Sequence, residues 1–194
     1  MGTSHGLEGK RPMRYAVWNN KGGVGKSFLA FMLGTEIANK HTDRHVLLVD
    51  MCPQANLSEI VLGGNSEGAK VLEAILAKGG GRKTIGGYFD SRISSPHKAT
   101  GDETSFLVNG SEHNANLPKN LWLLVGDPSL EIQAQVISQI SGQTLPQDSW
   151  SNVHRWLKDL VLACTSNVTT IIDCNPSFSA YTELAMIGAE RLIV

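Results

Sequence analysis

Residues 20–27 read Asn20-Lys21-Gly22-Gly23-Val24-Gly25-Lys26-Ser27, and these residue types suit the capture of a phosphate chain. Such capture needs several backbone N–H groups turned into one cavity, and glycine permits the positive φ angles that turn them. The apolar run Tyr15-Ala16-Val17-Trp18 precedes the loop and a helical pattern follows it. The start of that helix adds partial positive charge where the phosphates would lie. Lys26 can reach the β- and γ-phosphates of a nucleotide, and the Ser27 hydroxyl can ligate Mg2+. Asn20 stands where the general G-x-x-x-x-G-K-[ST] pattern has its first glycine. The plainer alternative, a glycine-rich turn that merely starts a helix, is disfavoured by GGVGKS between strand and helix.

Two carboxylates are placed to work beside that loop. His45-Val46-Leu47-Leu48-Val49-Asp50 and Val168–Asp173 are apolar runs that end in aspartate. Continuous apolar runs are the pattern of parallel strands covered on both faces. Asp50 and Asp173 then stand at the carboxyl edge of the sheet, where open α/β sheets bind ligands. One carboxylate there can hold the waters of a Mg2+ ion, and another can orient an attacking water.

The elements around these residues alternate. A strand at Tyr15–Trp18 leads to a helix over SFLAFMLGTEIANK, with Leu29, Leu33 and Ile37 on one stripe and Phe28 and Met32 on the next. That wide stripe is expected to be buried against the sheet. Short helices are expected near Leu57–Leu62 and Ala69–Ala77, and a strand at Leu121–Val125. Asp127 or Ser129 would cap a helix running to about Ile140, and another helix would span Ser149–Ala163. A helix at Tyr181–Ala189 and a strand opening at Arg191–Val194 complete the pattern, while residues 79–120 give no clear reading. Alternating strands and helices imply an α/β fold of parallel βαβ units.

Lys21, five residues before Lys26, gives the loop a resemblance to the deviant Walker A motif KGGVGKS of the ParA/MinD-type ATPases. Val49-Asp50-Met51-Cys52-Pro53-Gln54-Ala55-Asn56 resembles that family's VDxDPQxN element, with Cys52 at its second acidic position. Ile171-Ile172-Asp173-Cys174-Asn175-Pro176-Ser177 resembles its Walker B segment IIDxPPS, with Asn175 for the first proline. Gly126-Asp127-Pro128-Ser129-Leu130-Glu131 is similar to the stretch after its mid-domain strand. The resemblance implies a P-loop NTPase fold, a three-layer α/β/α sandwich with a mostly parallel sheet. It implies ATP or ADP with Mg2+ as cofactors, and nucleotide contacts from Gly22, Gly23, Val24, Gly25, Lys26, Ser27 and Phe28. Lys21, Lys26 and Asp50 become the catalytic candidates, and Ser27 with Asp173 the Mg2+ side, Asp50 joining through water. Lys21 would reach across an ATP-dependent homodimer to the partner's phosphates. Implied partners are nonspecific DNA and a ParB-like activator, in the cytoplasm or on the nucleoid, with no membrane. A MinD-like positioning factor and a non-hydrolysing nucleotide sensor are the alternative readings. Family members continue past the position of Val194, so the chain reads as C-terminally abbreviated, with adenine contacts beyond residue 194. Cys52 removes a carboxylate, and Asn175 is expected to loosen the loop after Asp173, since proline fixes φ and asparagine does not.

Composition bounds the rest. The 194 residues carry 17 Lys+Arg against 18 Asp+Glu, and 41% are hydrophobic. That apolar content disfavours disorder, and the net charge of −1 disfavours a grossly basic nucleic-acid binder. Residues 1–12 read as a disordered leader or cloning scar, and 13–194 as one ATPase domain. Cys52, Cys164 and Cys174 show neither disulfide nor zinc-pair spacing and are read as buried thiols. The six histidines show no ligand spacing, so no transition-metal site is assigned. Trp122, Trp150 and Trp156 are read as packing residues. Lys78, Arg82, Lys83, Arg92 and Lys98 form a basic cluster, more simply a solvated surface than a DNA contact.

Overall fold

Strands whose successive residues are all buried need both faces covered, and the architecture follows from that demand. The computed structural model describes residues 13–79, 81–143, 148–164 and 167–194; the leader expected at 1–12 lies outside them. Its sheet is built from β1 (Arg14–Val17), β2 (His45–Met51), β3 (Val108–Asn109), β4 (Leu121–Leu124), β5 (Val168–Cys174) and β6 (Arg191–Ile193). The order is β3-β4-β2-β5-β1-β6. All neighbours run parallel except β3 against β4.

Successive side chains of a strand point to opposite faces, and β2 feeds two cores accordingly. Leu47, Val49 and Met51 join Ile172 of β5 under α4 (Ile85–Ser94), α5 (Leu130–Ser141), α6 (Ser149–His154), α7 (Trp156–Ala163) and α8 (Ala180–Gly188). Val46 and Leu48 join Ile171 under α1 (Lys26–Lys40), α2 (Asn56–Val61) and α3 (Asn65–Leu76). The result is a three-layer α/β/α sandwich with the carboxyl ends of β1, β2 and β5 along one edge. Each fully buried Leu, Val or Ile contributes about 1.5–3 kcal/mol.

The bulky stripe expected to bury α1 is not the one that does. Phe28, Leu29 and Met32 are 59%, 42% and 49% exposed, and Leu33 and Ile37 are half-buried. The buried stripe is Ala30, Gly34 and Ala38, four residues apart on one face. A Cβ on Gly34 would come within 2.5 Å of Leu48 Cδ2, so small residues let the helix backbone close on β2. The helix expected over 149–163 divides at Arg155, whose N–H bonds the Asn152 carbonyl at 3.3 Å in a tightened turn. The stretch 79–120 holds α4 and the antiparallel β3. Thr84 caps α4 by accepting from Gly87 N at 2.9 Å.

The α1 packing yields a test. Gly34→Val should overpack against Leu48 and cost about 1–3 kcal/mol, or roughly 2–4 °C of Tm for each kcal/mol. Met32→Ser on the exposed side should leave Tm nearly unchanged. Thermal unfolding followed by circular dichroism checks both.

Candidate functional site

The loop from Trp18 to Gly25 carries the chain from β1 into α1. Gly23 and Gly25 adopt φ +71° and +85°, left-handed values that strain any side chain. A Cβ at Gly22, Gly23 or Gly25 would meet nothing within 4 Å; backbone conformation, not crowding, requires glycine here. Gly25 precedes α1 without any side-chain cap, so the N–H groups of the first turn are open to an anion. The Lys26 ammonium donates to the Lys21 carbonyl at 3.0 Å, and Lys21 N–H donates to Asn19 Oδ1 at 2.9 Å. Lys21, Gly22, Gly23 and Val24 are exposed. The Phe28 ring points outward, leaving only its backbone beside the loop.

Strand register brings the carboxylates to that loop. Asp50 of β2 pairs directly with Asp173 of β5, and Val17, the last residue of β1, pairs with Asp173 from the other side. Asp50 is fully buried. Its Oδ1 accepts from Cys52 N–H at 3.1 Å, and its Oδ2 from Ser58 N–H at 2.8 Å and the Ser58 hydroxyl at 2.7 Å. Burial pushes the Asp50 carboxyl above its ordinary range, and the bonds from Ser58 and Cys52 offset part of that rise. Asp173 is fully buried as well. Burial raises it first and the charge of Asp50 second, while a hydrogen bond from Ser27 and the nearby Lys26 cation pull the other way.

Asp173 Oδ1 has no hydrogen-bond partner among the described residues. A buried polar atom in that condition costs about 1–3 kcal/mol. A hydrated dication beside it would supply both the missing donors and the missing positive charge. These residues fit Mg2+, which Ser27 and Asp173 would hold. Cys52 lies at the same edge, its Sγ 3.9 Å from the Asp173 carbonyl and 4.0 Å from Asp173 Oδ2.

Sequence reasoning missed Ser58 and the role of Gly126. The Ser58 hydroxyl accepts from Gly126 N–H at 2.8 Å, which directs its single proton to Asp50. Gly126 must be small, because a Cβ there would lie 2.9 Å from the Ala55 Cα and from Asp50 Cγ. Ser58 gives no sequence signal beyond a polar residue in a short helix. Asp127 does not cap α5 through its first turn. Its Oδ1 accepts from Ser129 N–H at 2.9 Å, and its Oδ2 accepts from Arg82 Nε at 2.6 Å and the Thr84 hydroxyl at 2.5 Å. Burial opposes ionisation of Asp127, but the Thr84 and Arg82 bonds hold it below the usual carboxylate range.

Three further expectations change. Asn175 does not leave its loop free, since its Nδ2 donates to the Tyr181 hydroxyl at 2.7 Å and ties the loop to α8. Arg82 pairs with Asp127 and Asp90, and buried Arg92 pairs with Asp159 at 3.0 Å. Only Lys78, Lys83 and Lys98 of the basic cluster are exposed. Trp156 is fully buried, but Trp150 is half-exposed and stacks on His154 at 4.1 Å between ring centroids.

The model of the CobQ/CobB/MinD/ParA nucleotide-binding domain family matches residues 15–187. The chain belongs to this family. Solved structures agree on the fold. A Corynebacterium diphtheriae protein is 19% identical with TM-score 0.71, covering 93% of this chain and 59% of that one. A plasmid partition protein from Borrelia burgdorferi is 21% identical with TM-score 0.61, covering 94% and 64%. Cobyrinic acid a,c-diamide synthase from Mycobacterium smegmatis, solved with ADP and magnesium, is 22% identical with TM-score 0.60, covering 93% and 58%. The chain thus spans less than two thirds of the length of each of these structures. No curated protein sequence matches it. This ParA/MinD-type chain has the P-loop NTPase α/β fold, and among its described residues no helix is long and apolar enough to cross a membrane.

The buried carboxyl pair sets a pH dependence. Raised carboxyl affinity means the native chain keeps protons that the unfolded chain releases. Stability therefore falls as pH climbs from the unfolded value of about 4 through the raised native value, and the loss is complete above it. Asp173→Asn removes one charge of the pair. In the presence of a chelator it should raise Tm near pH 8, by roughly 2–4 °C for each kcal/mol relieved, and leave Tm near pH 4 almost unchanged. Differential scanning calorimetry at the two pH values reads the difference.

Proposed function

We propose that this chain is an ATP-binding, slowly hydrolysing ATPase that pairs with a second copy when ATP is bound and so moves or positions DNA cargo. The observation that carries the reading is the direct pairing of Asp50 with Asp173 beside a phosphate loop containing both Lys21 and Lys26. The likeness to a plasmid partition protein supports the cargo role, and the synthase solved with ADP and magnesium supports the cofactors. Mg2+, when bound, neutralises charge on the phosphates and fixes their geometry.

The chain's own residues divide the work. Gly22 to Phe28 present backbone N–H groups to the phosphates, and Lys26 turns from the Lys21 carbonyl to the β- and γ-phosphates. Ser27 and Asp173 hold the cation side. Asp50 accepts from Cys52 N–H on Oδ1 and from the Ser58 N–H and hydroxyl on Oδ2, and a second lone pair on Oδ1 is the acceptor for an attacking water. Its raised proton affinity makes it a better base near neutral pH. Lys21, exposed at the rim, is the cation that would meet the partner's phosphates. Slow turnover suits a site where Cys52 replaces a carboxylate. Exposed Lys78, Lys83 and Lys98 are the candidate DNA contacts, a ParB-like protein is the candidate activator, and the place of action is the cytoplasm, on the nucleoid.

Two sets of variants test this. Lys26→Ala should lose about 2–3 kcal/mol of affinity for ATP with Mg2+, the value of a charge-assisted contact; Asp50→Asn should keep binding and lose phosphate release. Calorimetric titration and a phosphate assay separate the two, and unchanged affinity in Lys26→Ala overturns the phosphate-loop assignment. ATP held by the parent chain without any phosphate release would favour the nucleotide-sensing alternative.

Lys21→Ala should leave the affinity of a single chain for ATP within a few-fold, because Lys26 and the loop amides remain. ATP-dependent dimerisation by light scattering and phosphate release should fall together, since apposed triphosphates repel without a neutralising cation. Lost ATP binding with dimerisation unchanged would place Lys21 in its own chain's site.

A further inference from the structure

We propose that Asp50, Cys52 and Asp173 form a binding site for a thiophilic divalent cation of the Zn2+ class, occupied in the absence of nucleotide. One ligand atom from each residue lies within 4.8 Å of the others, and all three residues are buried. Sequence spacing hides the group, because Asp173 is far along the chain and reaches it only through the β2–β5 pairing. The inference does not depend on the ATPase reading.

The cluster has the properties of a ligand set. Two buried carboxylates side by side repel each other, and Lys26, a cation whose field reaches Asp173, gives its ammonium to the Lys21 carbonyl. Asp173 Oδ1 is buried without a hydrogen-bond partner among the described residues. Among the described residues the Cys52 thiol reaches the Asp173 carbonyl at 3.9 Å and Oδ2 at 4.0 Å, at the far limit for sulfur. Asp50 Oδ1 accepts from Cys52 N–H, and the second lone pair of that oxygen is the one offered to a cation.

Sulfur decides the class of metal. Mg2+ demands an octahedron of oxygens at about 2.0–2.1 Å, in which a thiol has no place. Zn2+ accepts mixed sulfur and oxygen ligands in a tetrahedron, with Zn–S about 2.3 Å and Zn–O about 2.0–2.2 Å. Sulfur and oxygen in such a tetrahedron stand roughly 3.5 Å apart, so the 4.0 Å separation closes by a small side-chain movement. Ser27 or a water supplies the fourth ligand. As the metal–sulfur bond forms, the thiol proton leaves to solvent. Asp173 and Ser27 cannot serve this cation and the Mg2+ of a bound nucleotide together, so the two compete.

Co2+ serves as the spectroscopic probe. Titrated into the full nucleotide-free chain, it should produce a sulfur-to-cobalt charge-transfer band in the near ultraviolet that saturates at one equivalent. One equivalent of Zn2+ should abolish the band, and a large excess of Mg2+ alone should not. Cys52→Ser should lose the band and Cys164→Ser should keep it, with the fold of each verified by circular dichroism. Asp173→Asn should weaken Co2+ saturation by at least about tenfold. If Cys52→Ser does not fold, Cys52→Asp replaces it and should bind Co2+ without the band. Absence of the band in the parent chain, or its survival in the folded Cys52 variant, overturns the proposal. A parent chain that gives the band but binds no ATP would overturn the ATPase reading alone.

Discussion

Two buried carboxylates face each other where β2 and β5 leave the sheet, and much of the surrounding structure serves to hold that charge in place. Parallel pairing puts Asp50 beside Asp173, and neither reaches solvent. In so dry a position each charge costs free energy unless bonds or a cation compensate it. Asp50 is compensated from within the fold by Ser58 and Cys52. Asp173 is compensated only in part, by Ser27 and the field of Lys26, and one of its oxygens has no partner among the described residues. That asymmetry separates a fixed, oriented carboxylate from one prepared for a cation.

The support for Asp50 extends well beyond its first contacts. Gly126 N–H fixes the Ser58 hydroxyl, and Asp127, the next residue, is tied to Arg82 and Thr84 at the start of α4. The end of β4, the entry to α4 and the entry to α5 thus share one polar network behind the site. Ala55 holds φ +52° at the start of α2, a conformation that costs a non-glycine residue free energy. It survives because Gly126 leaves just enough room against the same turn.

Motifs read along the chain carried the α/β class, the phosphate loop and the two strand-end aspartates, because each is a local pattern with a local cause. Asp50 and Asp173 could be placed at one sheet edge from their strands, but their direct pairing could not. Register depends on which strands become neighbours, and β5 inserts between β2 and β1 from far along the chain. Ser58 was illegible for a related reason, since nothing in a short amphipathic helix says which polar residue turns inward. The misread face of α1 has another cause. Counting bulky residues assumes that they mark the buried side, whereas Ala30, Gly34 and Ala38 are buried because close approach favours small ones. In residues 79–120 the helix α4 opens on Gly86 and Gly87, which depress helix propensity. A capping threonine and tertiary packing override that signal.

The Asp173 oxygen that lacks a partner among the described residues is also a reserve of binding free energy. A ligand that binds only the folded chain stabilises it in proportion to its concentration over its dissociation constant. A cation at Asp173 gains in addition whatever the repulsion from Asp50 had cost the empty fold. The open glycine loop follows the same logic, for its helix-start N–H groups lack a side-chain cap and are left to water or to an anion. An anion at the loop and a cation at Asp173 would therefore reinforce each other, since one would bring the negative charge that the first turn of α1 lacks and the other the positive charge that the strand ends lack. Cys52 adds a competing claim on the cation side, by a ligand softer than oxygen. The chemistry of this edge would then be set by how strongly its carboxylates hold a dication, and by which dication wins the competition for them.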